Sequence, residues 1–124
     1  KEEFNYSSDC VSCLHTLEHL GLGRYGDKLD PDGWKKGLNS ISKLIAKSGQ
    51  LWLSVPLGNE KIVFNAHRIF DPKTIVNFSN TLDLHLNEFY FLTNGGFRKS
   101  SKIELDMTRI AKKDYTLGIF LFKK

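Results

Sequence analysis

The chain has 124 residues and a mass of 14.2 kDa, which suits one domain and is short for two. Apolar residues make up 40% of it, so the composition excludes a disordered tail, a collagen-like repeat and a disulfide scaffold. Its 18 lysines and arginines against 14 acidic residues give a net charge of +4, spread along the chain, and we expect no nucleic-acid partner.

The first half of the chain predicts two strands joined by a helix. Ser8–Leu14 is a short run of small and apolar residues, typical of a strand that is covered on both faces. A helix is predicted over 31–48, where Asp30 is the N-cap and apolar residues recur at helical spacing. The second strand is predicted over 51–55 and is ended by Pro56.

The second half predicts, in order, an extended piece, a helix, a strand, a turn and a last strand: 61–64, 72–79, 82–93, 94–96 and 115–122. We interpret 99–113 as a loop with at most a short helix from Asp106. The order β-α-β-α-β-β implies right-handed parallel crossovers and a closing antiparallel pair. The expected fold class is therefore α/β: a partial Rossmann-like sheet, mostly parallel with an antiparallel C-terminal strand pair, and helices on the faces.

Four residues near the first strand have side chains that bind zinc: Cys10, Cys13, His15 and His19. The segment from His15 to His19 also matches H-x-x-E-H, the inverted zinc-protease signature. Cys10 and Cys13 lie on opposite faces of a strand, however, and the signature follows a strand at once, which leaves room for one helical turn. We therefore expect buried cysteines and no metal, and zinc binding is the third hypothesis for this chain.

Two polar segments follow the first two strands of the predicted sheet: 15–19 and 65–68. In open α/β sheets, ligands bind at the carboxyl ends of the strands. If the two strands are neighbours, both segments reach the same edge of the sheet. We therefore expect Glu18, His19 and His67 to lie close together at this edge, with Asn65 beside them.

Five segments together resemble a bacterial family catalogued only as a domain of unknown function, family 268: Leu14–His19, Gly21–Asp27, Asp30–Gly33, Leu53–Pro56 and Phe64–Arg68. That family resembles a branch of the class I S-adenosylmethionine-dependent methyltransferases. The chain is similar to the C-terminal half of that fold and departs from it in lacking the glycine-rich cofactor loop. The resemblance therefore implies that residues 1–124 form one domain that is half of a methyltransferase-like unit and is inactive alone.

The resemblance also implies a reaction, in which a methyl group passes from S-adenosylmethionine to a small-molecule substrate of unknown identity. The implied positions are Ser12, Leu14 and His15 for the cofactor, His19, His67 and Glu18 for catalysis, and Asn65 and Arg68 for the substrate. A histidine near neutral pKa supplies the base that such a transfer needs.

A second hypothesis is a non-catalytic binding or interaction module on a Rossmann-like scaffold. In the methyltransferase order the predicted first strand has one free edge without lysine or proline, so we expect the chain to form a homodimer through that edge, to aggregate or to depend on a preceding segment. The longest apolar run near the C-terminus, 119–122, is far below the roughly 20 residues of a membrane span, so we expect no membrane partner. The absence of an apolar leader and the presence of 2 cysteines predict a cytoplasmic protein.

Overall fold

The computed structural model describes residues 7–22, 29–63 and 67–124. The strands are β1 Ser8–Leu14, β2 Ile45–Leu57, β3 Lys61–Val63, β4 His67–Ile69, β5 His85–Thr93, β6 Gly96–Lys99 and β7 Thr116–Lys123. The helices are α1 Gly33–Ser42, α2 Pro72–Thr81 and α3 Ile103–Ile110, and a single 3-10 turn spans Leu17–His19. Five strands form one sheet in the order β1-β2-β7-β5-β6, and β3 pairs with β4 separately.

The mostly parallel Rossmann-like sheet predicted from the sequence is wrong. Only β1 and β2 pair in parallel within the described sheet, whereas β2–β7, β7–β5 and β5–β6 are antiparallel. The reason is that β7, the last strand of the chain, inserts between β2 and β5. Strands β1, β2 and β5 do run in the same direction, but an opposing strand separates the last of them from the other two.

One face of this sheet, which we call the inner face, carries the hydrophobic core. Paired residues point to the same side, so Leu53 of β2 and Phe120 of β7 both lie on it, and both are fully buried. Helices α1, α2 and α3 all pack on this face, through Trp34, Ile75 and Met107 among others. In the described part of the chain the helices cover this one face, whereas the sequence predicted helices on the faces of the sheet. None of the described helices is long and apolar enough to cross a membrane.

The boundary between α1 and β2 differs from the predicted one. The helix ends at Ser42 instead of continuing to residue 48, because Ile45 is buried and already pairs with Ser8 of β1. Strand β2 also continues through Pro56 to Leu57. The proline is tolerated because β1 ends opposite Ser54, so no described β1 residue pairs with β2 at the position where its N–H is missing.

The elements of the second half that have strong local signals form as predicted. In α2, the Asp71 carboxylate accepts a hydrogen bond from Lys73 N at 2.9 Å, which is the expected N-cap. Helix α3 replaces most of the predicted loop. It begins after Lys102, whose side chain makes no capping bond, so the usual sequence signal for a helix start is absent.

Candidate functional site

The two polar segments lie at the same edge of the sheet. The 3-10 turn directly follows β1, and β4 leads into Phe70, whose N–H donates to Pro56 O near the carboxyl end of β2 at 3.0 Å. As a result, the rings of His19 and His67 lie with their centroids 6.2 Å apart and nearly perpendicular. The structure thus brings His19 and His67 together, while the predicted position of Asn65 lies outside the described residues.

Glu18 is the buried centre of this edge. Its side chain is 3% exposed, and its Oε2 lies 3.8 Å from both His15 Nδ1 and His19 Nε2. Its Oε1 is buried with no hydrogen-bond partner among the described residues. Burying a carboxylate is costly unless neighbouring groups compensate for its charge, and the two imidazoles are the groups at hand when protonated.

His15 contacts both Glu18 and the neighbouring strand β2. Its φ is 54°, in the left-handed region that a residue with a Cβ adopts at a cost of about 1–3 kcal/mol. Two contacts to β2 hold it there: His15 N donates to Ser54 O at 3.0 Å, and His15 Nε2 lies 3.3 Å from Ser54 Oγ. The ring is therefore placed with Ser54 on one side and Glu18 on the other, and about half of it is exposed.

Arg68 is next to His67 in β4, but its side chain binds backbone carbonyls of two loops. It is buried, and its guanidinium donates to the backbone carbonyl of Leu20 and, at 3.1 Å, to that of Asp30. These bonds connect β4 with the end of the 3-10 turn and the segment before α1. Its expected contact with a substrate stays a prediction, whereas its contact with these loops is observed.

The cysteines and histidines do not converge as the zinc hypothesis requires. Cys10 is exposed, which corrects the expectation that both cysteines are buried, and Cys13 is buried on the inner face. Burial raises the pKa of the Cys13 thiol, and the negative charge of Glu18 raises it further. The described residues contain no group of three or more metal-binding side chains that could hold an ion. The 3-10 turn is also too short to carry an H-x-x-E-H helix.

The face of the sheet opposite the core, which we call the outer face, has a cavity of about 370 Å³. Its lining is Ser12, Leu14, Trp52, Tyr90, Phe97 and Ile119. Ser12 and Leu14, both predicted to lie beside a cofactor, are thus part of one cavity, and the third predicted cofactor residue, His15, follows Leu14 directly. We call this feature the outer-face cavity.

Sequence reasoning missed several residues of this region, because they come together only through strand pairing. Ser54 lies opposite Leu14 in the parallel β1–β2 pair, and Tyr90 lies opposite Ile119 in the β5–β7 pair. Tyr115 immediately precedes β7, and its ring centroid lies 6.4 Å from that of His67. A usable signal was the alternation in β2, which sends Trp52 and Ser54 to the face opposite Leu53.

Residues 1–117 match the sequence model of a family described as "Caenorhabditis protein of unknown function, DUF268". A comparison with curated proteins finds no match. The expectation of a bacterial family is therefore wrong, because the matching family is described as a Caenorhabditis one. The match provides no link to methyltransferases, so the expected resemblance to them is not supported either.

Proposed function

The chain belongs to this Caenorhabditis family of unknown function, and we propose that it is an enzyme with a histidine acid–base site for a small polar molecule. The observation that carries the proposal is the buried Glu18 carboxylate, 3.8 Å from two imidazoles, one of which contacts the ring of His67. A buried carboxylate next to histidines that reach the surface is a common arrangement of general acid–base catalysis.

Each group has a distinct part in this chemistry. A neutral imidazole of His19 or His67 accepts the proton of a bound nucleophile, because histidine changes its charge near neutral pH. Glu18 holds the ring of His19 by its negative charge and stabilises the imidazolium that forms. The distance of 3.8 Å is longer than a hydrogen bond, as is common for catalytic contacts before a substrate is bound.

Methyl transfer to an oxygen or nitrogen nucleophile is the reaction that the sequence led us to expect for this base, and it is the first that the experiment below tests. S-adenosylmethionine, when bound, supplies an electrophilic methyl group. Ser12, Leu14 and His15 are the residues expected beside it, but the outer-face cavity is lined mainly by apolar side chains and has no carboxylate in its lining. These residues fit a ring of the cofactor and not its ribose and charged groups, so we assign no step to it.

The experiment measures turnover with small alcohols, phenols and amines as acceptors, following the release of S-adenosylhomocysteine, and measures cofactor affinity by calorimetry. His19→Asn and His67→Asn are compared with His85→Asn, a control on β5 whose ring lies 3.0 Å from Asp83 and outside the candidate site. We expect the first two variants to lose on the order of 10²–10⁴-fold in rate and the control to lose nothing.

Two outcomes contradict the proposal. Equal rates in the His19, His67 and His85 variants exclude a base at this edge. Absence of both turnover and cofactor binding excludes methyl transfer by this chain alone and favours the second hypothesis, a non-catalytic binding module.

A further inference from the structure

We infer that the outer-face cavity binds the aromatic ring of a small molecule. This goes beyond the proposed acid–base site and rests on the proposed function only in identifying that molecule with its substrate.

The lining of the cavity is mainly apolar, and no described residue covers it. Leu14 and Phe97 are 57% and 52% exposed, which is unusual for two large apolar side chains that lie in one cavity. Trp52, Tyr90 and Ile119 complete the apolar surface, and Ser12 adds one hydroxyl. A contiguous exposed apolar surface on a folded domain commonly marks a site of binding.

Trp52 and Tyr90 are held in an arrangement that a ligand ring can contact without rearranging them. The Trp52 and Tyr90 rings lie 6.2 Å apart between centroids and are inclined by 30°. Tyr90 Oη donates to Glu88 Oε1 at 2.6 Å, and Lys99 Nζ donates to Glu88 Oε2 at 3.2 Å. These bonds fix the hydroxyl end of Tyr90 and keep the pKa of Glu88 below its usual range. A ligand ring therefore contacts a preformed aromatic surface, which lowers the entropic cost of binding.

The size and position of the cavity favour a small molecule over a protein. Its volume of about 370 Å³ lies near the lower end of the range for ligand pockets, about 300–1,000 Å³. A stable protein interface buries about 800 Å² on each partner, which is far more surface than the six residues that line this cavity expose. His15 follows Leu14 in the chain, and its Nε2 lies 3.3 Å from Oγ of Ser54, which pairs with Leu14, so we expect a polar group attached to a bound ring to lie near His15. Because none of the lining residues is charged, the bound ring is expected to be uncharged.

The experiment uses 2-naphthol as the probe and the fluorescence of Trp52 as the readout. The chain has 2 tryptophans, so Trp34→Phe leaves Trp52 as the only reporter. We expect saturable quenching of its emission by the probe. Ligand-observed NMR on the unmodified chain gives the same answer should the Trp34 substitution, which is made in the core, prevent folding.

Leu14→Asp places a charge inside the cavity and is expected to weaken 2-naphthol binding at least tenfold. Leu105→Asp is the matched control, because Leu105 is also exposed but lies on α3, which packs on the inner face. Equal binding by both variants, or no saturation in the unmodified chain, overturns the inference. A Trp52 emission that changes with protein concentration in the absence of probe, measured in a Cys10→Lys background that suppresses pairing through β1, also overturns it, because a second copy of the chain then covers the face.

The histidine variants separate this inference from the proposed function. His19→Asn and His67→Asn are expected to keep full affinity for 2-naphthol, because neither residue lines the cavity. Binding of 2-naphthol without histidine-dependent turnover supports the ring-binding cavity and contradicts the proposed enzyme. Histidine-dependent turnover without binding of 2-naphthol supports the enzyme and contradicts the cavity.

Discussion

At the scale of single residues, Glu18 dominates the candidate site because it is both charged and buried. Its carboxylate lies 3.8 Å from a ring nitrogen of His15 and of His19. Its negative charge also raises the pKa of the Cys13 thiol. The sequence placed Glu18 at this edge, but nothing in a five-residue segment shows that a carboxylate will be excluded from water. Burial is a property of the packing around it.

We predict that Glu18→Gln lowers the pKa of the Cys13 thiol. Burial raises this pKa most, the Glu18 charge raises it further, and a backbone hydrogen bond at Leu17 lowers it, so removing the charge leaves the effect of burial opposed by that hydrogen bond. The pKa is measured from the thiolate absorbance as a function of pH in a Cys10→Ser background. Glu104→Gln, on the exposed side of α3, is the control and is expected to change nothing. An unchanged Cys13 pKa in Glu18→Gln would mean that the carboxylate is not ionised beside it.

The same raised pKa gives a sign for the pH dependence of stability. A thiol whose pKa is higher in the folded state contributes stability that is fully present below its unfolded pKa and is lost as the pH rises through the folded value. The contribution of Cys13 to the free energy of unfolding should therefore decline in alkaline solution, and less so in Glu18→Gln.

At the scale of elements, one arginine connects three parts of the fold that the sequence treats separately. Arg68, in β4, donates to carbonyls at the end of the 3-10 turn and before α1. The chain is tightly packed there: Gly21 has a φ of 75°, and a Cβ at that position would lie 2.1 Å from Asp30 O. This packing, rather than any local propensity, fixes the 3-10 turn with Glu18 and His19 against β4.

We predict that Arg68→Lys lowers the free energy of unfolding by about 1.5–3 kcal/mol, because a lysine cannot reproduce the planar fork that bonds two carbonyls at once. The measurement is urea denaturation followed by circular dichroism. Arg98→Lys, at an exposed position on β6, should be neutral. If Arg68→Lys is as stable as the parent, these bonds do not hold the loops together, and the substrate role expected for Arg68 becomes the better explanation of its position.

At the scale of the whole molecule, the sheet is open in two ways among the described residues. Its outer face has no described helix, and β1 pairs with β2 on one side only. Each unmade backbone hydrogen bond at such an edge is worth about 1 kcal/mol, so several of them favour association.

We predict that the chain forms a homodimer by pairing of β1 with β1 of a second copy, as measured by sedimentation equilibrium under reducing conditions. Cys10→Lys, which adds a charge to this edge, is expected to shift the equilibrium to the monomer. Gln50→Lys is the matched control, because Gln50 pairs with Cys10 from the neighbouring strand and lies away from the edge. A parent chain that stays monomeric at every concentration contradicts this prediction, as does an equal shift in both variants.

The sequence by itself determined the elements with strong local signals. Three features agree with prediction: the bounds of β1, the Asp71 cap of α2 and the turn after Thr93. Each of them depends on residues that are close together in the sequence. It also predicted that the segments bearing His19 and His67 would meet at one edge if the first two strands were neighbours, a condition that the structure meets.

Only the tertiary structure decided how these parts combine. The insertion of β7 between β2 and β5 makes the sheet mostly antiparallel, and it also creates the outer-face cavity by bringing Ile119 beside Tyr90. Similarly, the burial of Ile45 against β1 ends α1 before its helical pattern ends. The physical reason is that strand pairing and burial depend on residues distant in the chain, whose contacts no local propensity or spacing encodes.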